Sequence, residues 1–233
     1  MSNDREFWER YRRGERRFRY ERAPERKLFG TYEGSDFSGM DLRRSEIVGR
    51  FSRCAFVSTC FQSALLRGSF SECDFTSCNL DRAEISNVSF GGSDFTKASF
   101  VEARITFANF RACLFHETRM TRAVFERVRF DSITPRRVSI DASIFVDTSV
   151  EPFCTPGTTE GGGSSVVDWR SICRSSRTPQ LESFLLKSGM AEVFVRYLCD
   201  CARALDPDMM FKLMRSTFIS YGEPGIEFAS FIE

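Results

Sequence analysis

A large apolar residue occupies every fifth position between Phe70 and Phe130, without exception. This period fits neither an α-helix, which repeats about every 3.6 residues, nor a flat strand, which alternates about every two. It indicates a backbone that turns a corner every five residues. Because a repeat of this kind decides the whole fold, it constrains the chain more than any other feature. The thirteen residues in this large slot are Phe70, Phe75, Leu80, Ile85, Phe90, Phe95, Phe100, Ile105, Phe110, Phe115, Met120, Phe125 and Phe130.

A second slot lies two residues before each large one and holds a small or short β-branched residue, for example Cys73, Ala98 or Val128. The other three positions of each unit are mostly polar or charged. We therefore expect the large and the small residue of each unit to face the interior, while the other three face water.

The units that begin at Cys73, Cys78 and Ala108 read Cys-Asp-Phe-Thr-Ser, Cys-Asn-Leu-Asp-Arg and Ala-Asn-Phe-Arg-Ala. They resemble the pentapeptide-repeat family, whose unit is small–polar–Leu/Phe–X–X. The resemblance covers about half of the chain and implies a right-handed quadrilateral β-helix with four pentapeptides per coil. The expected fold class is thus an all-β solenoid, followed by a small α-helical C-terminal region.

This coil length implies that Phe70, Phe90, Phe110 and Phe130 stack in one column. One coil cannot bury its apolar residues alone, so stability is expected to come from contacts between neighbouring coils. Burial of one Phe side chain contributes about 1.5–3 kcal/mol.

Cysteine usage favours a reducing compartment. Four of the nine cysteines (Cys54, Cys73, Cys78 and Cys113) fall in the small slot, where a thiol acts as a compact hydrophobic group. A disulfide framework is therefore not expected, and a cytoplasmic location is predicted. No secretory signal and no apolar run long enough to cross a membrane are found in the sequence.

Residues 1–28 contain ten basic and six acidic residues, interleaved with aromatic ones. A basic, aromatic-rich arm can bind nucleic acid. The alternative is a cap over the open first coil, which solenoids need at their ends. We expect the cap or a loose arm, and keep nucleic-acid binding as the alternative.

The repeat register predicts a solenoid of five to six coils over residues 29–150. Two steps of four residues, Ile47 to Phe51 and Leu66 to Phe70, indicate tightened corners. Pro135 occupies the slot after Phe130 and predicts a local loop there.

The segment after the repeats changes character. Residues 151–167 contain two prolines and a Gly-Gly-Gly-Ser-Ser run, which predicts a linker. Residues 168–215 are expected to form a helical joint. Its apolar spacing predicts helices over 179–190 and 191–205, and a further helix from Asp206.

Residues 216–233 resemble the opening of a Toll/interleukin-1 receptor (TIR) domain. The resemblance implies a buried first strand, a short loop and a helix entered through Phe-Ala. The family's catalytic Glu, where NAD cleavage occurs, would lie beyond Glu233, so this activity is expected only in a longer form. The residues that carry the resemblance are Phe218, Ile219, Ser220, Tyr221, Phe228 and Ala229.

No catalytic, metal-ligand or cofactor motif is found in the sequence, so no enzyme activity and no cofactor are expected. The single histidine, His116, follows inward-facing Phe115 and is predicted to point to solvent.

Some pentapeptide-repeat proteins mimic DNA and shield gyrase with a strongly acidic face. Residues 37–150 contain fifteen basic and thirteen acidic residues, which excludes a uniformly acidic rod and makes this the third alternative.

The function expected first is a non-catalytic interaction or scaffold module that binds a protein partner or further copies of itself. In a longer parent protein, the rod would position TIR domains and control their assembly.

Overall fold

A computed structural model describes residues 6–160, 164–205 and 209. Most of the described chain winds into a solenoid of short parallel strands. The strands are β1 Lys27–Glu33, β2 Glu46–Ser52, β3 Leu65–Ser71, β4 Glu84–Gly91, β5 Arg104–Arg111, β6 Leu114–His116, β7 Val124–Glu126, β8 Arg129–Asp131, β9 Thr134–Arg136, β10 Val138–Ser139, β11 Ile144–Val146, β12 Thr159–Glu160 and β13 Val166–Val167.

Helices lie at the two ends of this solenoid. They are α1 Glu6–Arg12, α2 Glu151–Cys154, α3 Trp169–Ser175, α4 Leu181–Lys187 and α5 Glu192–Ala204.

The principal sheet runs along the whole solenoid in the order β1-β2-β3-β4-β5-β7-β11-β13, with β8 also paired to β5. Every strand pair is parallel, so each coil hydrogen-bonds to the next at the usual strand spacing of about 4.8 Å. The remaining sides of the coils are joined by isolated parallel bridges, such as Asp36 to Ala55 and Ala55 to Asp74. The predicted all-β solenoid with C-terminal helices is confirmed, and it has about seven turns.

The backbone turns a corner two residues after each large inward residue. Ser77 follows Phe75 in this way, and Lys97 follows Phe95, with φ angles of 58° and 59°. The corner residue recurs with positive φ in every unit from Phe70 to Phe145. Most of these corner residues are not glycine, although the left-handed conformation costs other residues about 1–2 kcal/mol. Residue type at the corners did not indicate this conformation, which is imposed by stacking on the neighbouring coils.

The coils change length along the chain. Glu46 lies opposite Lys27 and Leu65 lies opposite Glu46, so the early coils have 19 residues. Arg104 lies opposite Glu84, so the later coils have 20. A register shift between β3 and β4 accommodates the extra residue.

Glycine makes the shorter coils feasible. The two steps of four residues predicted from the sequence contain Gly49 in β2 and Gly68 in β3. A Cβ atom on Gly49 would lie 2.1 Å from the carbonyl oxygen of Gly30, and one on Gly68 would lie 2.1 Å from that of Gly49. The short side of each coil therefore brings two backbones too close for any side chain.

The solenoid begins one coil earlier than the sequence indicated. Phe29, the predicted start of the repeats, is exposed, whereas Phe18 is buried. Backbone bridges join Arg17 to Asp36 and Arg22 to Asp41. This first coil was missed because its second large slot contains only Ala23, which interrupts the apolar pattern.

Helix α1 lies over this first coil. Phe7 is buried, and its ring lies 5.7 Å from that of Phe18. The Trp8 ring packs against Gly30, where a Cβ atom would be 2.7 Å from the ring. Tyr11 accepts a hydrogen bond at its hydroxyl oxygen from the Glu33 amide on the open edge of β1. The structure therefore places a cap at the N-terminal end, as solenoids require.

The loop predicted at Pro135 is wrong. Pro135 lies in β9 and is in register with Phe115 of β6 on the coil before it. The Thr134 amide donates to the Cys113 carbonyl at 3.0 Å, so the residue next to the proline supplies the backbone hydrogen bond to that coil. A proline is accepted in this strand because the pairing does not depend on its missing N–H group.

The expected linker over residues 151–167 is corrected by the structure. Helix α2 begins at Glu151, β12 pairs with β10, and β13 pairs with β11. Its described residues thus continue the solenoid for a further turn. The proline and glycine content suggested a free segment, but backbone pairing with the preceding coil supplies the order that the composition lacks.

Three helices close the C-terminal end. Asp168 caps α3 by accepting a hydrogen bond from the Ser171 amide, and Ile172 is buried beneath it. Helices α4 and α5 lie within the two regions predicted to be helical, and Gly189 between them has a φ of 89°.

Residues 216–233, which carry the TIR resemblance, lie outside the described residues. Most of the further helix predicted from Asp206 does so as well.

The small inward slot has a chemical reason as well as a steric one. Thr59 Oγ1 donates to the Phe37 carbonyl at 2.8 Å, Thr118 Oγ1 to the Phe95 carbonyl at 2.9 Å, and Cys113 Sγ to the Phe90 carbonyl at 3.2 Å. In each case the acceptor belongs to the large residue of the preceding coil. Ser, Thr and Cys therefore add a hydrogen bond between coils that Ala cannot.

Gly49→Ala should destabilise the folded state by about 1–3 kcal/mol, because the new methyl group collides with the Gly30 carbonyl. Gly91→Ala is the matched control. Gly91 lies in the same sheet, and an added Cβ atom there would have no other atom within 4 Å. Urea unfolding should show a lower midpoint for Gly49→Ala and a change of at most about 0.5 kcal/mol for the control. Equal midpoints would contradict the close approach.

Burial raises the pKa of the Cys113 thiol to about 11. The pKa of a cysteine thiol in an unfolded chain is about 8.5, so the unfolded chain loses this proton at a lower pH than the folded protein does. The contribution of Cys113 to stability is therefore fully present below about pH 8.5 and declines as pH rises toward 11. Unfolding midpoints measured from pH 7 to pH 10 should fall less steeply in Cys113→Ala than in the original chain. Parallel curves would show that this thiol is not buried.

Candidate interaction surfaces

The interior of the solenoid is filled with stacked side chains. All thirteen large-slot residues from Phe70 to Phe130 are buried, and Phe130 is the most exposed at 8%. The rings of Phe90 and Phe110 lie 4.9 Å apart, as do those of Phe75 and Phe95. A functional site on the repeats must therefore be sought on the outer faces.

The titratable groups of the solenoid show no catalytic grouping among the described residues. His116 lies in β6 and is half-buried, not fully turned to solvent as predicted. Burial raises the pKa of the Cys113 and Cys154 thiols, the latter to about 12, so neither resembles an activated nucleophile. Within the part of the chain that the structure describes, no cluster of three or more potential metal ligands occurs.

None of the described helices is both long and apolar enough to span a lipid bilayer.

Charged residues at the corners stack into ladders of alternating sign. Glu102 accepts from Arg82 at 2.8 Å and from Arg122 at 3.0 Å, one coil to either side. The hydrogen bond from Arg82 is the main reason why the pKa of Glu102 lies below its usual range. A second ladder continues from Glu117 through Arg137 to Glu160. These carboxylates are neutralised in place, which does not favour the acidic face that DNA mimicry would need.

The principal sheet presents an apolar stripe on its outer face. Ile144 lies in register between Val124 and Val166, so three aliphatic side chains occupy the same outward position on successive coils. Ile144 is 37% exposed and Val166 is 56% exposed. We call Val124, Ile144 and Val166 the apolar stripe.

Both charge signs flank this stripe. Arg104 forms an ion pair with Glu126 at 3.7 Å, and Arg174 forms one with Asp147 at 2.6 Å. At the neighbouring corner, the Arg127 guanidinium forms a cation–π contact with the exposed Phe107 ring and lies 5.2 Å from its centre. The surface therefore combines a flat apolar centre with a polar, mixed-charge margin.

An open groove lies beside α2, the short helix that takes the place of a strand in the last turn of the solenoid. It has a volume of about 1040 Å³ and is lined by residues that include Arg129, Asp131, Glu151 and Arg174. Acidic and basic side chains are present together, and Arg129 pairs with Asp131 at 3.1 Å. The groove therefore has no charge preference that would point to one ligand class.

The N-terminal end carries a different surface, dominated by arginine. Arg10 donates hydrogen bonds to both Glu15 and Glu21. The bond from Arg10 holds the pKa of the Glu15 carboxyl below its usual range. Two of the carboxylates nearest this end are thereby engaged by a single guanidinium.

Sequence analysis identified the inward slots and singled out residues 1–28 as a basic, aromatic-rich segment, but it did not identify the apolar stripe. The apolar stripe has a sequence signal, namely an aliphatic residue directly before the large one in units near the end of the repeats. For the N-terminal surface, the excess of basic residues and the interleaved aromatic ones were the signal, but the first coil that carries them was not recognised.

Comparison with known proteins agrees with this geometry. A protein-family model described as "Pentapeptide repeat region" matches residues 63–145. A comparison with the curated proteins gives no significant match.

Several solved structures are similar to this chain. HetL, a pentapeptide repeat protein involved in heterocyst differentiation regulation from the cyanobacterium Nostoc sp. strain PCC 7120, is 15% identical. The match covers 72% of this chain and 98% of HetL, with a TM-score of 0.27. QnrB1, a plasmid-mediated fluoroquinolone resistance protein, is 17% identical over 64% of this chain and 80% of QnrB1, with a TM-score of 0.30.

A pentapeptide repeat protein from the thylakoid lumen of Arabidopsis thaliana is 23% identical. This match covers 43% of this chain and 68% of that protein, with a TM-score of 0.22. These similarities do not indicate a function for this chain. The family model thus matches residues 63–145 as a pentapeptide repeat region, and the β-solenoid extends beyond these residues at both ends.

Proposed function

We propose that this chain is a non-catalytic scaffold whose solenoid binds a second copy of itself through the outer face of the principal sheet. The observation that carries the proposal is the apolar stripe. Three aliphatic side chains in register on a rigid sheet form a flat surface that is costly to leave in water.

A second copy suits this surface because its margin contains both charge signs. In a two-fold contact, the same patch is used by both subunits, so each positive group must meet a negative group of the same patch. Arg104 and Glu126 beside the stripe supply such a pair, as do Arg127 and Asp147. A partner of one strong charge sign would instead meet repulsion from half of this margin.

The scaffold role extends to the TIR resemblance of residues 216–233. We propose that, in a longer form of the protein, the solenoid brings copies of a TIR-type signalling domain together. The support for this step is the sequence resemblance alone. Such a role needs no pocket in the rod, only a self-associating surface and a C-terminal attachment. The alternative of a gyrase-binding DNA mimic has no supporting observation in the charge ladders.

Replacing Ile144 and Val166 with arginine should abolish self-association, because two unpaired charges would be desolvated in the centre of the contact. The measurement is the mass in solution by light scattering, from about 1 to 100 µM, a concentration range suited to modest interfaces. The original chain should show a concentration-dependent dimer, and the double variant should stay monomeric.

Leu114→Arg is the matched control. Leu114 is 37% exposed, the same as Ile144, and also lies in an outward strand position, but on a different side of the coil. The control should dimerise like the original chain, and circular dichroism should show that all variants keep the solenoid. A monomeric original chain, or a control as monomeric as the double variant, would contradict the proposal.

A further inference from the structure

We infer that the N-terminal end of the solenoid is a binding site for single-stranded nucleic acid, formed by an arginine cluster around the exposed ring of Tyr20. This site is separate from the apolar stripe and does not depend on the proposed self-association. It requires two features that occur together here, an excess of positive charge and a free aromatic face.

The charge excess comes from the first coil and the end of α1. Arg12, Arg13, Arg17 and Arg22 are all exposed. Among the described residues, no carboxylate forms an ion pair with any of these four. Their guanidinium groups are therefore available to phosphate, which arginine can bind through two parallel hydrogen bonds.

Four of the nearby carboxylates are already paired with other arginines, whereas Glu6 and Glu9 of α1 form no ion pair among the described residues and Asp41 also interacts electrostatically with Arg22. Glu15 and Glu21 both accept from Arg10. On the next coil, beneath Arg17 and Arg22, Asp36 pairs with Arg19 and Asp41 with Arg43.

Elsewhere on the rod, corner arginines have carboxylate partners on adjacent coils, as in the ladder through Glu102. The N-terminal end differs because its first coil has no preceding coil to supply such partners. The composition differs in the same direction, with ten basic and six acidic residues in 1–28 against fifteen and thirteen in 37–150.

Tyr20 supplies the aromatic face. The edge of its ring packs against Gly39 on the next coil, where a Cβ atom would lie 2.4 Å from Cδ1 and 2.5 Å from Cε1. Tyr20 is nevertheless 76% exposed. The ring is thus held against backbone at one edge while most of its surface is open, and an unstacked base can lie on such an exposed ring.

The position of Tyr20 between Arg17 and Arg22 connects the two features. Arg17 and Arg22 precede large-slot residues on adjacent sides of the first coil, and Tyr20 lies at the corner between them. A single strand can place a base on the ring and its flanking phosphates against the two arginines. A duplex can offer only its phosphates, because its bases are already stacked and paired.

The test measures binding of a fluorescein-labelled 20-nucleotide oligo(dT) to the complete chain by fluorescence anisotropy, at several salt concentrations between 50 and 200 mM. The double substitution Arg17→Gln with Arg22→Gln should weaken binding at least tenfold. It should also reduce the slope of log affinity against log salt by about 1.4, since each single-strand phosphate contact contributes about 0.7. Tyr20→Ala should weaken binding about five- to a hundredfold with little change in that slope.

Arg50→Gln with Arg111→Gln is the matched control. It removes two exposed arginines from another side of the rod, and neither residue pairs with a carboxylate among the described residues. This control should bind like the original chain, and circular dichroism should confirm the fold of every variant.

Three results of the direct binding test would overturn the inference, and a fourth comes from competition. These are no binding of oligo(dT) at 50 mM salt, equal losses in the control and in the N-terminal double variant, or an unchanged affinity in Tyr20→Ala. Competition distinguishes the class of ligand. Unlabelled oligo(dT) should displace the probe at lower concentration than a 20-base-pair duplex or heparin, whereas equal displacement would show a general polyanion surface and reject the single-strand site.

Discussion

The structure depends on the stacking of each coil on the next. A single coil exposes both its backbone hydrogen-bonding groups and its apolar interior, and only a neighbouring coil can satisfy both. The Phe90 ring illustrates this, since it packs 5.2 Å from Phe70 on one side and 4.9 Å from Phe110 on the other. The small slot strengthens the same contact when Thr118 or Cys113 donates to a carbonyl of the preceding coil.

Stacking also explains why the two ends of the rod differ from its body. The N-terminal end is covered by α1, whose Trp8 packs where a preceding coil would otherwise lie over Gly30. The C-terminal end is closed by α3 to α5, which bury Ile172, Leu185 and Leu198. Some corner charges in the body, such as Glu102, have partners on both adjacent coils, whereas the first coil has a neighbouring coil on one side only. A capped solenoid can therefore be neutral along its length and charged at one end.

The outer faces determine what such a molecule can do, because its interior is filled. Two surfaces stand out against the balanced charge of the rod, the apolar stripe near the C-terminal end and the arginine cluster with Tyr20 at the N-terminal end. They lie on different coils and use different chemistry, hydrophobic burial for one and phosphate contact with base stacking for the other. Each can therefore be altered by substitution without disturbing the other.

The sequence by itself determined the solenoid, because an apolar residue at every fifth position allows no other regular backbone. The shortened sides at Gly49 and Gly68 were also evident as steps of four. Tertiary structure decided what periodicity cannot encode. Ala23 fills a large slot in the first coil, the segment after Glu151 gains order only by pairing with the coil before it, and Lys97 adopts a left-handed conformation that its neighbours impose. The apolar stripe belongs to this second group, since Val124, Ile144 and Val166 are adjacent only after the coils have stacked, whereas Arg17, Tyr20 and Arg22 are close in sequence and lie on one coil.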